Sequence, residues 1–184
     1  MLKPVDIESG VLHRFPEALV LIVSKDQSQK INLCPIGYFT LIAWEPKTWV
    51  IGLYEKHYST KIISETKEFV LCLPSVEQAK DLLYCGSISG RKVDKTKSIS
   101  LKFTPSSTVK PPLVEDSIAC FECKVVQQRV IGDHVAFFGQ IVMAYESGKN
   151  WRQKLYNWDN KKIGTIALGD KFNEISFSPE GAIE

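Results

Sequence analysis

IACFECKVVQQRVIGDHVAFFGQIVMAYE, residues 118–146, decides how the rest of the chain is read. Residues 118–130 and 134–146 are two long runs rich in β-branched and aromatic side chains, as strands require. Between them stands Gly132-Asp133, a two-residue connection with glycine first, the arrangement a type II′ hairpin turn calls for. Two thirteen-residue strands joined this tightly must lie side by side and antiparallel. The two strands therefore form a hairpin, and the rest of the chain is read outward from it.

Working outward toward the N-terminus, more strands appear. ALVLIVS (18–24) is a continuous apolar, β-branched run, as expected of a buried strand. After the polar turn KDQSQK comes INLCP, which places Ile31 and Leu33 on one face and Asn32 on the other. YFTLIAW is stopped by Glu45-Pro46, and TWVIGLY (48–54) and FVLCLP (69–74) are further strands. Two short helices are inserted. Ser59 is the expected cap of the first, TKIISETKE, while Ser75 and Gln78 form a capping-box pattern before VEQAKDLLY. Residues 96–117, with Pro105, Pro111 and Pro112, read as a long surface connection, and 147–184 as a polar, aromatic tail. Strands without regular βαβ alternation favour a mainly β fold, a β-barrel with short helices, over a doubly wound sheet.

The 184 residues suit one domain, 1–184, with a core over about 15–146. A hydrophobic fraction of 44% and a charged fraction of 24% are those of a packed globular chain. The net charge of +2 is too small to point to nucleic acid or a membrane surface. The first fifteen residues contain acids and lack the apolar core of a signal peptide, and Ala18–Val23 is far too short to span a bilayer. Five scattered cysteines read as reduced thiols, so the expected location is the cytoplasm. Cys120 and Cys123 are three apart in a strand, hence on opposite faces, and no histidine completes a set; no metal site is expected.

Two segments carry the chemistry. YCGSISGRKVDK (84–95) concentrates Gly86, Ser87, Ser89 and Gly90 beside Arg91, Lys92 and Lys95, so amides, hydroxyls and cations converge on one loop. KHYST (56–60) puts His57, Tyr58 and Ser59 where a helix begins, with the free N–H groups of its first turn. Together they make a candidate phosphate site. A solvated basic loop and a plain N-cap are the bland alternative from residues alone. Neither a P-loop nor a dinucleotide glycine fingerprint is present. His134, beginning a strand after a tight turn, sits at a rim where a side chain meets a ligand.

NLCPIGYFT, KHYSTKIISETKEFVLCLPS, YCGSISGRKVDK and GDHVAFFGQIV, in this order, resemble the flavin reductase-like family in its flavoredoxin branch. The resemblance implies an FMN-binding split β-barrel with a Greek-key core, usually homodimeric with the flavin near the subunit interface. It places Asn32 and the segment Pro35, Ile36, Gly37 and Tyr38 at the polar edge of the flavin ring. Ser59, with His57 and Tyr58 beside it, takes the family's phosphate-binding position, and Ser87, Ser89, Gly90, Arg91 and Lys95 match the second phosphate element. His134 matches the histidine of the GDH motif, near the ring and the entrance for a reductant. Gly37 stands where many relatives carry serine, and Lys92 and Thr96 depart from the family pattern around the Asp94-Lys95 pair. The activity implied is an FMN oxidoreductase taking hydride from NADH or NADPH. The alternatives are an FMN electron carrier serving a protein redox partner and a flavin-binding module without redox turnover.

Overall fold

The computed structural model describes residues 2–150, 154–157 and 163–164. A short helix α1 (Ile7–Val11), capped by the Asp6 carboxylate, leads into the strands β1 (Glu17–Ala18), β2 (Val20–Lys25), β3 (Ile31–Ile36), β4 (Phe39–Trp44) and β5 (Lys47–Tyr54). Helix α2 (Tyr58–Thr66) precedes β6 (Glu68–Leu73), and helix α3 (Ala79–Ser87) follows a 3₁₀ turn at Val76–Gln78. The short strands β7 (Phe103–Thr104) and β8 (Leu113–Val114) lead to the two long ones, β9 (Ala119–Ile131) and β10 (His134–Glu146). Strands β11 (Tyr156–Asn157) and β12 (Ile163–Gly164) complete the described chain.

Seven strands form one antiparallel sheet in the order β3-β2-β6-β9-β10-β5-β4. Its two edge strands, β3 and β4, are consecutive in the chain and joined by Gly37-Tyr38 alone. Two residues cannot span a flat seven-stranded sheet with strands about 4.8 Å apart. The sheet is therefore rolled until its edges meet, as a barrel split along the β3–β4 seam. Register shifts in β10 at Phe138/Gly139 and Ile141/Met143, and in β4 at Leu41/Ala43, supply local bends of the kind that curl a sheet. Pro35 is tolerated because β3 is an edge strand, where the missing N–H costs no ladder bond.

Alternate residues of the strands feed two cores. Val20, Ile22, Ile51, Leu53, Phe69, Leu71, Cys123 and Phe137 fill the barrel, with Ile63 of α2 packed among them. Leu21, Val23, Leu33, Val70, Cys72 and Cys120 face outward and are covered by Leu82 and Cys85 of α3 and by Val109, Leu113 and Val114. This is why 18–24 is apolar without alternation: β2 is buried on both faces. Cys120 and Cys123 fall in different cores, as their spacing requires. Gly132 has φ of 59° and Asp133 has no positive φ, consistent with the type II′ turn.

Three expectations are corrected. Residues 96–117 are more than a surface connection, since Val109, Leu113 and Val114 are core. The segment is tied down by Glu122, a fully buried carboxylate (0% exposed) that accepts hydrogen bonds from the Ser107 and Thr108 amides, the Thr108 hydroxyl and the Tyr145 hydroxyl. The cap of α2 is His57 and not Ser59, which lies inside the first turn. Helix α3 continues through Gly86 and Ser87, so the basic loop begins at Ile88. Part of the tail packs back on the domain, as β11 pairs with β1 and the Leu19 amide donates to the Leu155 carbonyl at 2.9 Å.

Candidate functional site at the barrel seam

Strand β3 brings the site together because both inserted helices pack against it. Asn32 faces the N-terminus of α2, and its Nδ2 donates to Ser59 Oγ at 2.7 Å. Its Oδ1 is buried against Gly90 and has no hydrogen-bond partner. No side chain caps the first turn of α2, so its N–H groups are left to an incoming anion. Ser59, His57, Tyr58, Gly86, Ser87, Ser89, Gly90 and Lys95 line one cavity of about 230 Å³ with Asn32 and Pro35. The two candidate segments, some thirty residues apart in sequence, thus form one wall.

Lys95 is not a surface cation. It is 4% exposed, and its Nζ donates to the Leu33 carbonyl at 2.7 Å and the Cys85 carbonyl at 2.6 Å, tying β3 to the end of α3. Burial lowers its pKa against the opposing pull of Cys34 and Cys85. An ammonium has three donors, and two are spent, so Lys95 both holds the wall and brings charge to the cavity. Ser87 lines the cavity, but its hydroxyl donates to the Tyr84 carbonyl at 3.0 Å. Ser89 Oγ accepts from the Arg91 amide at 3.3 Å. The structure does not bring Arg91 into the wall: its guanidinium donates to the Lys56 carbonyl at 3.4 Å and lies 5.8 Å from the Tyr58 ring centroid.

A second cavity, also about 230 Å³, meets the first at Pro35 and His57. Ile36, Gly37, Tyr38, Tyr54 and His134 line it together with Arg14, Glu17 and Asn157. It is an aromatic chamber: His134 stands 5.5 Å from the Tyr38 ring and 5.8 Å from the Tyr54 ring, and Tyr54 is 5.4 Å from His57. His134 Nδ1 is 2.7 Å from Asp133 Oδ1, which orients the imidazole. Burial, and then the neighbouring His134 and Lys95, push the His57 pKa down, so His57 is neutral at pH 7. The combined cleft has a donor-rich polar end and a planar-walled aromatic end, with a histidine at their junction.

The sequence model of the flavin reductase like domain matches residues 12–166. The chain belongs to this family. An uncharacterized protein of Archaeoglobus fulgidus is 31% identical over 140 residues, covering 73% of this chain and 78% of that protein. Among solved structures, an FMN-binding protein from Thermus thermophilus with bound p-hydroxybenzaldehyde superposes with a TM-score of 0.80 at 21% identity, covering 97% of this chain and 99% of that one. Flavoredoxin from Methanosarcina acetivorans gives 0.78 at 22% identity, covering 94% and 97%. At these identities the structural likeness establishes the shared fold.

Reading the sequence missed Lys56 and Cys34, which line the first cavity, and Arg14, Glu17, Tyr54 and Asn157, which line the second. Lys56 lay within the KHYST segment already singled out. No local motif marks Arg14 or Glu17, which reach the site only because the chain before β2 folds across the seam. Among the described residues no cluster of histidine, cysteine or carboxylate could hold a metal ion, and no helix is long and apolar enough to cross a membrane.

Proposed function

We propose that this flavin reductase-like protein binds FMN in the paired cavities and is an oxidoreductase fed by NADH or NADPH. The observation that carries the reading is the juxtaposition of an anion-competent end and an aromatic chamber, joined at Pro35 and His57. The residues fit the group. The first-turn amides of α2, Ser59, Ser89 and the third donor of Lys95 would hold the phosphate. Asn32 braces Ser59 for this role through its Nδ2. Pro35 to Tyr38, with His57 and His134, would edge and cover the ring. When bound, FMN supplies hydride acceptance and onward electron transfer, so the chain needs no nucleophile of its own. Its task is to orient the ring and to keep a space beside it.

The concave chamber, walled by Tyr38, Tyr54 and His134, supports turnover of a small planar co-substrate over electron exchange across a flat charged surface. An FMN carrier serving a protein redox partner is the second reading. We also propose a homodimer, because Ile42 and Trp44 on β4 and Val126, Val130 and Ile131 on β9 are exposed apolar side chains that a second copy would cover.

Titrating the apo-protein with FMN and with riboflavin tests the site. Each charged hydrogen bond to phosphate is worth about 1.5–3 kcal/mol, so FMN is expected to bind at least about 100-fold tighter. Equal affinities would remove the phosphate assignment. Anaerobic addition of NADH or NADPH should then bleach the bound flavin; a flavin that only an external reductant bleaches favours the carrier.

A further inference from the structure

Glu17 occupies a place that belongs, by backbone geometry, to the side chain of residue 37. A Cβ built on Gly37 would lie 2.5 Å from Glu17 Oε1 and 2.6 Å from its carboxyl carbon, closer than such atoms approach. Glycine at 37 therefore leaves room for a carboxylate delivered from another strand. That carboxylate is locked. Arg14 Nε donates to Oε2 at 3.0 Å, and Asn157 Nδ2 donates to Oε1 at 3.1 Å. The Arg14 guanidinium is itself held 4.2 Å from the Phe15 ring centroid and 5.7 Å from that of Tyr38. Glu17 is 15% exposed at its side chain, and both it and Arg14 line the aromatic chamber.

We propose that Glu17 is the residue that sets how readily this chamber accommodates negative charge on its ligand, and so tunes the bound flavin's reduction potential downward. This rests on the flavin reading above. A hydroxyl at position 37 would both donate and accept; a carboxylate only accepts and carries a charge. In a half-buried, low-dielectric wall that charge opposes the gain of negative charge by a neighbouring ring. Arg14 pairs with Oε2 and reduces this effect, while Oε1, held by Asn157, is the oxygen on the Gly37 side. The same group favours ligand edges that present an N–H.

The test uses the full-length protein loaded with FMN and reads the midpoint potential, not activity. Glu17→Gln keeps the shape and the hydrogen bond from Arg14 while removing the charge; its amide NH2 keeps the Asn157 contact when the Asn157 amide turns its oxygen toward it. Its affinity for reduced relative to oxidised FMN should rise about tenfold, a shift of about +30 mV for a two-electron couple. Glu65→Gln, which removes an exposed carboxylate of α2, should leave the potential in place. FMN binding with no shift in Glu17→Gln, or the same shift in Glu65→Gln, overturns the proposal. Failure of the wild-type protein to bind FMN overturns the flavin reading itself, and this one with it. The spatial claim has its own readout: Gly37→Ser should lower the melting temperature in the wild-type background and not in Glu17→Ala. Equal losses in both backgrounds would show that the two residues do not compete for the space.

Discussion

Asn32 and Gly90 are in such close contact that a Cβ on Gly90 would lie 1.9 Å from Asn32 Oδ1 and 3.0 Å from its amide carbon. The neighbouring Tyr58 ring would be 3.3 Å away. Glycine at 90 is thus required by space, since the loop passes directly over the side chain that spans from β3 to Ser59. Lys30 holds the loop there, its Nζ donating to the Gly90 carbonyl at 2.6 Å. Gly90→Ala must push the loop or Asn32 aside. It should weaken FMN binding by at least about tenfold, equivalent to about 1.4 kcal/mol, while the barrel still unfolds cooperatively. Titration with FMN alongside thermal melting checks this; unchanged affinity would show that the Asn32–Gly90 contact is not part of the binding wall.

Lys95 is expected to matter in two ways at once. Lys95→Met leaves the Leu33 and Cys85 carbonyls without their charged donor, and each such bond contributes about 1.5–3 kcal/mol. Both the melting temperature and FMN affinity should therefore fall, the latter by at least about tenfold. Lys92→Ala, an exposed residue of the same loop, should change FMN affinity less than about twofold. Matching small effects in the two variants would return the loop to a solvated basic surface.

His57 makes a pH prediction. Its folded pKa lies below the unfolded value of about 6.5, because burial and the nearby His134 and Lys95 disfavour its charged form. Below about pH 6.5 the unfolded chain binds more protons at this position than the folded one. Stability is therefore full above that pH and is lost as pH falls through the depressed folded pKa. Chemical denaturation of the apo-protein from pH 7.5 to 5.5 should show this decline, and His57→Gln should flatten it. Parallel curves for the two proteins would assign the decline to other groups.

Glu122 should be an acid-sensitive tie in the fold. Burial alone would raise its pKa, but hydrogen bonds from Thr108, Tyr145 and the Ser107 and Thr108 amides hold it below the usual carboxylate range. The stability it confers is present above its unfolded value and is lost as pH falls through the lower folded one. Glu122→Ala removes the acceptor shared by the Ser107 and Thr108 amides and the Thr108 and Tyr145 hydroxyls, and should cost about 1.5–3 kcal/mol, read by urea denaturation at pH 7. FMN binding should survive at temperatures where the variant is folded, because this network lies under the 105–112 segment and not in the cleft.

His134→Ala removes an aromatic neighbour of both Tyr38 and Tyr54. The fold should persist, since the hairpin turn rests on Gly132 and the strand pairing, while reduction by NADH or NADPH should slow. Stopped-flow reduction of bound FMN checks it. Unchanged kinetics would make His134 a wall residue only.

Much of the fold was legible in local pattern. Alternation, apolar runs, turn glycines and a capping box mark the seven long strands and the helices, because those signals depend on neighbours within about ten residues. The residues lining the first cavity were legible for the same reason: Ser59, Ser89 and Gly90 sit in compact segments whose chemistry is local. What no local pattern carries is where a side chain ends up when the sheet closes. Lys95 looked like one of three loop cations, and only the packing of α3 against β3 buries it on two carbonyls. Arg91 looked equal to it, and the loop's path places its guanidinium on the Lys56 carbonyl and beside the Tyr58 ring. Glu17 and Arg14 had no reason to be noticed, because their place beside Gly37 exists only once the segment before β2 crosses the seam. The sequence alone determined the strands, the hairpin and the family likeness, and singled out the two segments that line the first cavity, since each is written in short-range periodicity and residue type. The tertiary structure alone decided which cations face the cleft and which carboxylate stands beside Gly37, since burial and long-range packing act between residues far apart in the chain.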